Sequence, residues 1–166
     1  MKMHKFKKIY LDLDGVIADF SKRYKELYRM APEEADKIKQ FGMFFADFIE
    51  SRQFATLDMM PDAKQLLSYL NSTGVPVEIL SSTARKENYN EISLQKQFWL
   101  DKHKINYPAN FVPGKSLKYK YADPESIIID DTQSVIDDWI KAGVVAIHHT
   151  DALTTIAMLS TLLAGV

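Results

Sequence analysis

Ile9-Tyr10-Leu11-Asp12-Leu13-Asp14-Gly15-Val16-Ile17-Ala18-Asp19-Phe20 is the stretch that decides how this chain is read. Its apolar residues alternate and then give way to two acids and a glycine, the pattern of a buried strand that delivers carboxylates at its end. A two-residue spacing puts the side chains of Asp12 and Asp14 on one side of a strand. Gly15 lets the backbone turn sharply and pass close to a neighbour. Two acids at the end of a central strand suit a metal ion and a phosphate better than a packed core.

Outward from that stretch, strands and helices alternate. Residues 7–12 read as the first strand. Asp19 to about Met30, a second run from Pro32 that Phe41-Gly42 interrupts, and Met43 to Ser51 read as helices. Pro61-Asp62 opens a helix to about Asn71, which Thr73-Gly74 ends. Val75 to Leu80 is a second strand and delivers Ser81-Ser82-Thr83. An amphipathic helix from Glu87 to about Lys104 carries Ile92, Leu94, Phe98, Trp99 and Leu100. Asn110 to Val112 is a brief strand. Ser126 to Asp131 is the most strongly apolar strand, again ending in acids. A helix from Val135 to Ala142, a strand from Val144 to Ile147 and a last apolar helix capped by Asp151 complete the chain.

This order predicts an α/β fold, a parallel Rossmann-like sheet of about five strands with helices on both faces and right-handed crossovers. Residues 1–18 and 62–166 form the core and residues 19–61 a small helical insert after the first strand. Ligands of such sheets bind beyond the C-terminal strand ends, where Asp12, Asp14, Ser81 and the pair Asp130 and Asp131 all fall.

The chain has 166 residues, 46% hydrophobic and 26% charged, enough for one sizeable core. Its net charge of −1 argues against a nucleic-acid duplex or an anionic membrane surface as the main partner. It has no cysteine, which excludes disulfides, thiolate catalysis and Cys-type zinc sites and fits a cytoplasmic setting. Met1 to Lys8 is basic, but no long apolar run follows it, so no signal peptide is expected.

Two like charges about 4 Å apart repel by roughly 4 kcal/mol at an effective dielectric near 20. Four converging acids therefore call for a cation or for protonation. All-oxygen ligands select a hard ion, Mg²⁺ first. A carboxylate can attack a phosphoryl group held in line while its neighbour protonates the leaving oxygen. Ser81 and Ser82 offer hydroxyl and backbone N–H groups to phosphate, and a lysine from Lys115, Lys118 or Lys120 would complete the cage. Phe20 and the other aromatics of residues 19–61 read as packing within the insert. The pair His148-His149 reads as a surface loop.

Asp12-Leu13-Asp14-Gly15-Val16, then Ser81, then a lysine, then Asp130-Asp131, in this order, resembles the haloacid dehalogenase superfamily over nearly the whole chain. The resemblance implies a nucleophile at Asp12 and an acid/base at Asp14. It implies a Mg²⁺ site of Asp12, the Asp14 carbonyl, and the acidic pair, with Asp131 direct and Asp130 behind it or bound through water. For the lysine it favours Lys118, which precedes Tyr121-Ala122 as in related chains, over Lys120. Asp12 to Phe20 is similar to D-x-D-G-V-x-A-D-F of the 5′(3′)-deoxyribonucleotidases and their phage and bacterial relatives. That similarity implies a cytoplasmic phosphatase of nucleoside monophosphates, with residues 19–61 as cap and Phe20 against the base. Leu80-Ser81-Ser82-Thr83 departs from the relatives' Thr-Ser-Pro, and Thr132 stands where they carry arginine. Three other readings remain: a phosphatase of sugar phosphates or other metabolites, repair of nucleic-acid 3′-phosphate ends, and a non-hydrolytic receiver-like phosphoacceptor. In a receiver the acidic pair comes first and the lysine last, the reverse of the order here.

Overall fold

The computed structural model describes residues 5–165. Met1 to His4 of the basic N-terminal stretch, and Val166 after the last helix, lie outside the described residues. Five strands form one parallel sheet: β1 (Lys8–Leu11), β2 (Val77–Ser82), β3 (Ala109–Val112), β4 (Ser126–Asp130) and β5 (Val145–His148), in the order β3-β2-β1-β4-β5. β1 is central, with Leu11 beside Ile79 on one flank and Ile129 on the other. The chain leaves β1 toward β2 on one side and later returns to β4 on the other. The crevice beyond the end of β1 is thus a switch point of the kind where α/β sheets bind ligands.

The alternation of the strands sorts their side chains into two layers. Ile9, Leu11, Ile79, Ile127, Ile129 and Ile147 pack with Leu66 and Leu70 of α4 (Ala63–Ser72), Trp99 and Leu100 of α5 (Tyr89–Lys102) and Leu159 of α7 (Ala152–Ala164). On the opposite face, Leu80, Val112 and Ile128 meet Val135, Ile136 and Trp139 of α6 (Gln133–Lys141). There Tyr10 makes edge contacts with Tyr121 and Trp139, the latter at 5.8 Å. Among the described residues no helix is long and apolar enough to cross a membrane.

Between β1 and α4 lie α1 (Phe20–Tyr28), α2 (Pro32–Lys37), α3 (Phe41–Glu50) and a 3-10 turn, Gln53–Thr56. Asp19 caps α1 by accepting from the Lys22 N–H. Phe20, Tyr24, Phe48 and Phe54 form an aromatic cluster, with Phe20 and Phe54 stacked 5.7 Å apart. This cluster is continuous with the apolar layer under the sheet. α5 joins the two: the Gln95 carbonyl accepts from the Phe54 N–H, its amide donates to the Ile49 carbonyl, and the Trp99 indole N–H donates to the Leu57 carbonyl at 2.7 Å.

Several expectations differ from the structure in detail. Gly42 does not break a helix; it lies in the first turn of α3, and the break falls at Lys39, which takes a positive φ of 59°. Leu94 and Phe98 face solvent, because the buried stripe of α5 runs through Ile92, Gln95, Lys96 and Trp99. Ser81 and Ser82 belong to β2 itself rather than following it. His149 is no surface residue: it is buried, and its Nδ1 pairs with the Thr155 hydroxyl at 2.7 Å.

Candidate active site

A cleft of about 670 Å³ opens at the C-terminal strand ends and is lined by Asp12, Asp14, Ser82, Lys96, Lys118 and Asp131, among others. Just after β1 the backbone folds into a tight loop, with the N–H groups of Val16, Ile17 and Ala18 all donating to the Leu13 carbonyl. Asp12 is buried at the start of that loop, and its Oδ1 accepts from the Leu13 N–H. Asp14 lies two residues on and is only partly covered. The strand has ended by then, so the two acids do not share one environment as simple alternation predicts. Each meets a different lysine.

Lys118 reaches Asp12 from a 3-10 helix, Lys115–Tyr121, packed beside α6. Its Nζ lies 3.0 Å from Asp12 Oδ1 and donates to Asp130 Oδ2 at 2.7 Å. Burial pulls the Lys118 ammonium down, but the charges of Asp12 and Asp130 outweigh it and hold its pKa above the ordinary lysine value. Lys115 and Lys120 are exposed, although Lys115 lines the mouth of the cleft.

At the end of β4 the two acids divide. Asp130 is fully buried; Oδ2 takes the Lys118 bond and Oδ1 accepts from the Thr132 N–H at 2.9 Å. Asp131 turns its carboxylate into the cleft. Its close approach depends on Gly15, which has φ +81°: a Cβ built there would lie 1.9 Å from Asp131 Oδ2. His148 holds the Asp131 backbone carbonyl through Nε2 at 2.9 Å.

Oxygens of Asp12, Asp130 and Asp131 lie within 4.8 Å of one another, a geometry that fits a cation. Burial pushes the Asp12 carboxyl up to about 7, with the Asp130 charge adding and Lys118 opposing. Burial pushes Asp131 up to about 7 as well, helped by the charges of Asp12 and Asp14. Two lysines against four carboxylates leave this corner short of positive charge. Oxygen-only donors at these separations suit a hard divalent ion.

The other expected residues are placed as follows. Ser81 is fully buried, and its Oγ accepts from Lys96 at 2.7 Å; it is Ser82, at the end of β2, and Thr83 and Ala84 just after it that line the cleft. Phe20 is both in the aromatic cluster and in the cleft wall, with Phe41, Phe45 and Phe54 beside it. The sequence reading missed Lys96 and Gln95. Their signal was present: Ile92, Gln95, Lys96 and Trp99 share one face of an α-helix, and polar side chains on an apolar stripe have partners inside.

No family model matches this sequence, nor does any curated protein. Solved structures do match. A dehalogenase determined with an intermediate complex superposes with a TM-score of 0.57 at 14% identity, covering 99% of this chain and 100% of that one. A hydrolase from Streptococcus pneumoniae TIGR4 gives 0.56 at 17% identity, covering 94% and 99%. The HAD domain of the effector protein Lem4 from Legionella pneumophila gives 0.50 at 18%, covering 95% of each chain. At these identities the likeness establishes architecture, and with the parallel sheet and its helices it gives this chain the haloacid dehalogenase fold.

Proposed function

We propose that the protein is a Mg²⁺-dependent phosphatase that hydrolyses phosphomonoesters through an aspartyl-phosphate on Asp12, with nucleoside 5′-monophosphates as its substrates. The observation that carries this reading is the cluster of Asp12, Asp130, Asp131 and Lys118 at a cleft that Phe20, Phe41, Phe45 and Phe54 also line. Asp12, Asp131 and the Asp14 carbonyl are the residues to hold the ion, with Asp130 behind them because both its oxygens already have protein partners. When bound there, a divalent ion would supply positive charge against the phosphate oxygens and the Asp12 carboxylate. Lys118 orients Asp12, and the Ser82 hydroxyl, whose oxygen accepts from the Ala84 N–H, donates to the phosphate oxygens. The Asp12 carboxylate attacks phosphorus, the bond to the leaving oxygen breaks, and Asp14 gives that oxygen its proton. Asp14 then takes a proton from the water that releases phosphate from Asp12.

Residues 19–61 act as the cap. Phe20, Phe41, Phe45 and Phe54 offer a planar leaving group an apolar wall that a sugar does not need, which favours a nucleoside. The sheet order also weighs against the receiver reading: receivers place β1 between β2 and β3, whereas here it lies between β2 and β4. Phosphate release across common nucleoside monophosphates and sugar phosphates, with Mg²⁺ and with chelator, tests the proposal. Better turnover of sugar phosphates would remove the nucleotide assignment. Turnover that persists in chelator would remove the metal, and a long-lived phospho-form without turnover would restore the phosphoacceptor.

A further inference from the structure

Lys96 is as deeply buried as Lys118, at 3% and 2% exposed. It comes from α5, on the opposite face of the sheet. Its Nζ donates to Asp14 Oδ2 at 2.9 Å, to Ser81 Oγ at 2.7 Å and to the Ser82 carbonyl at 2.8 Å, and it lies 5.1 Å from the centre of the Phe54 ring. An ammonium has three N–H donors, and these three oxygens use them all. Among the described residues no other side chain donates to the Asp14 carboxylate. A buried ammonium is costly unless it is paired and fully hydrogen-bonded, and here it is both. One turn further along α5, Trp99 is fixed to the Leu57 carbonyl, and next to Lys96, Gln95 holds Phe54 and Ile49. Lys96 therefore projects from a braced element.

We infer that Lys96 is a positioning residue for Asp14. It fixes Oδ2, so that Oδ1 is the oxygen that exchanges the proton, and through Ser81 it ties that orientation to the end of β2. This inference rests on the phosphatase reading. In the first step the bond from Asp12 to phosphorus forms as the bond to the leaving oxygen breaks, and the proton on Asp14 Oδ1 moves to that oxygen. In the second, water bonds to phosphorus, the bond to Asp12 breaks, and the proton lost by water returns to Asp14. Lys96 has no donor to spare for the substrate, so it acts on these transfers and not on phosphate affinity.

The test compares Lys96→Met, Asp14→Asn and the double variant in Mg²⁺, on a nucleoside 5′-monophosphate and on p-nitrophenyl phosphate, whose leaving group needs no proton. Lys96→Met is expected to lower kcat on the nucleotide about tenfold or more beyond its effect on the aryl ester, with KM changed less than about threefold. In the Asp14→Asn background the same substitution is expected to cost less than about threefold, since the residue it orients has gone. Lys96→Arg keeps a charged donor and serves if Lys96→Met does not fold; a smaller loss, still confined to the nucleotide, is expected of it. Equal losses on both substrates, or losses that multiply fully in the double variant, overturn the positioning role. A wild-type protein that releases phosphate from neither substrate defeats the phosphatase reading instead, while an active wild type with unaffected Lys96 variants defeats this inference alone.

Discussion

Stripped of divalent cations, the protein should lose stability as the pH rises toward neutrality. Asp12 has a carboxyl pushed from 3.8 to about 7, by burial first and by Asp130 next. An acid whose pKa is raised by folding binds more protons in the folded state than in the unfolded one. The stability it confers is complete below the unfolded pKa and is lost as the pH climbs through the folded value. The interval of about 3 between those pKa values corresponds to on the order of 4 kcal/mol for Asp12 at most. Asp131 shifts the same way but is more exposed, so solvent screening reduces its share. His149 pulls in the opposite direction, because burial holds its imidazole below the ordinary value. The comparison is therefore wild type against Asp12→Asn, which removes the acid and leaves His149 in place. Urea denaturation in chelator, followed through the buried Trp99 and Trp139, should show wild type falling relative to Asp12→Asn by up to about 2.5 kcal/mol between pH 5 and pH 7.5, the rest of that interval lying below pH 5. Mg²⁺ at about 100 times its Kd adds roughly 2.7 kcal/mol, and its effect should grow with pH because the ion competes with those protons. A flat or rising wild-type curve relative to Asp12→Asn, or an equal gain from Mg²⁺ at both ends of the range, would refute the charge deficit argued for this corner.

Two substitutions probe the supports of the site. Gly15→Ala puts a methyl group where Asp131 Oδ2 now sits and adds about 1 kcal/mol of left-handed backbone strain; Mg²⁺-dependent stabilisation should weaken at least tenfold in concentration, and an unchanged Mg²⁺ titration would show that Asp131 does not serve the ion. Gln95→Leu leaves the Phe54 N–H without its partner, at about 1–3 kcal/mol, while the Ile49 carbonyl keeps its bond from the Arg52 N–H; thermal denaturation should register the loss, with amide exchange at Phe54 rising more than at Ile79 in β2, and equal changes at the two amides would show that Gln95 does not brace Phe54.

The acids were legible because a parallel strand advertises itself. Ile127, Ile128 and Ile129 are buried on both faces, and a run of that kind stopping at Asp130 and Asp131 has to end at a site or at a surface. The strand order was not written in any such run, and it is the order that makes the end of β1 a shared floor. The counter-charges were harder for a different reason. Lys118 sits in a 3-10 helix with exposed lysines on either side, so spacing could not separate it from Lys115 and Lys120. Lys96 sits in a helix whose exposed Leu94 and Phe98 imitate a second apolar face and hide the true one. Asp62 opens α4 as its position predicts, but its side chain goes elsewhere: it accepts from the Ala152 N–H of α7 at 2.7 Å, a partner 90 residues away. In each case the deciding term is long-range electrostatics. A buried charge is tolerated only where another segment meets it, and a local pattern carries no record of which segment that is. What the sequence does carry is the mismatch itself, a lysine or glutamine at the spacing of buried apolar residues. Ile92, Gln95, Lys96 and Trp99 show that such a mismatch marks the place where a helix has been recruited to a site at the end of a strand.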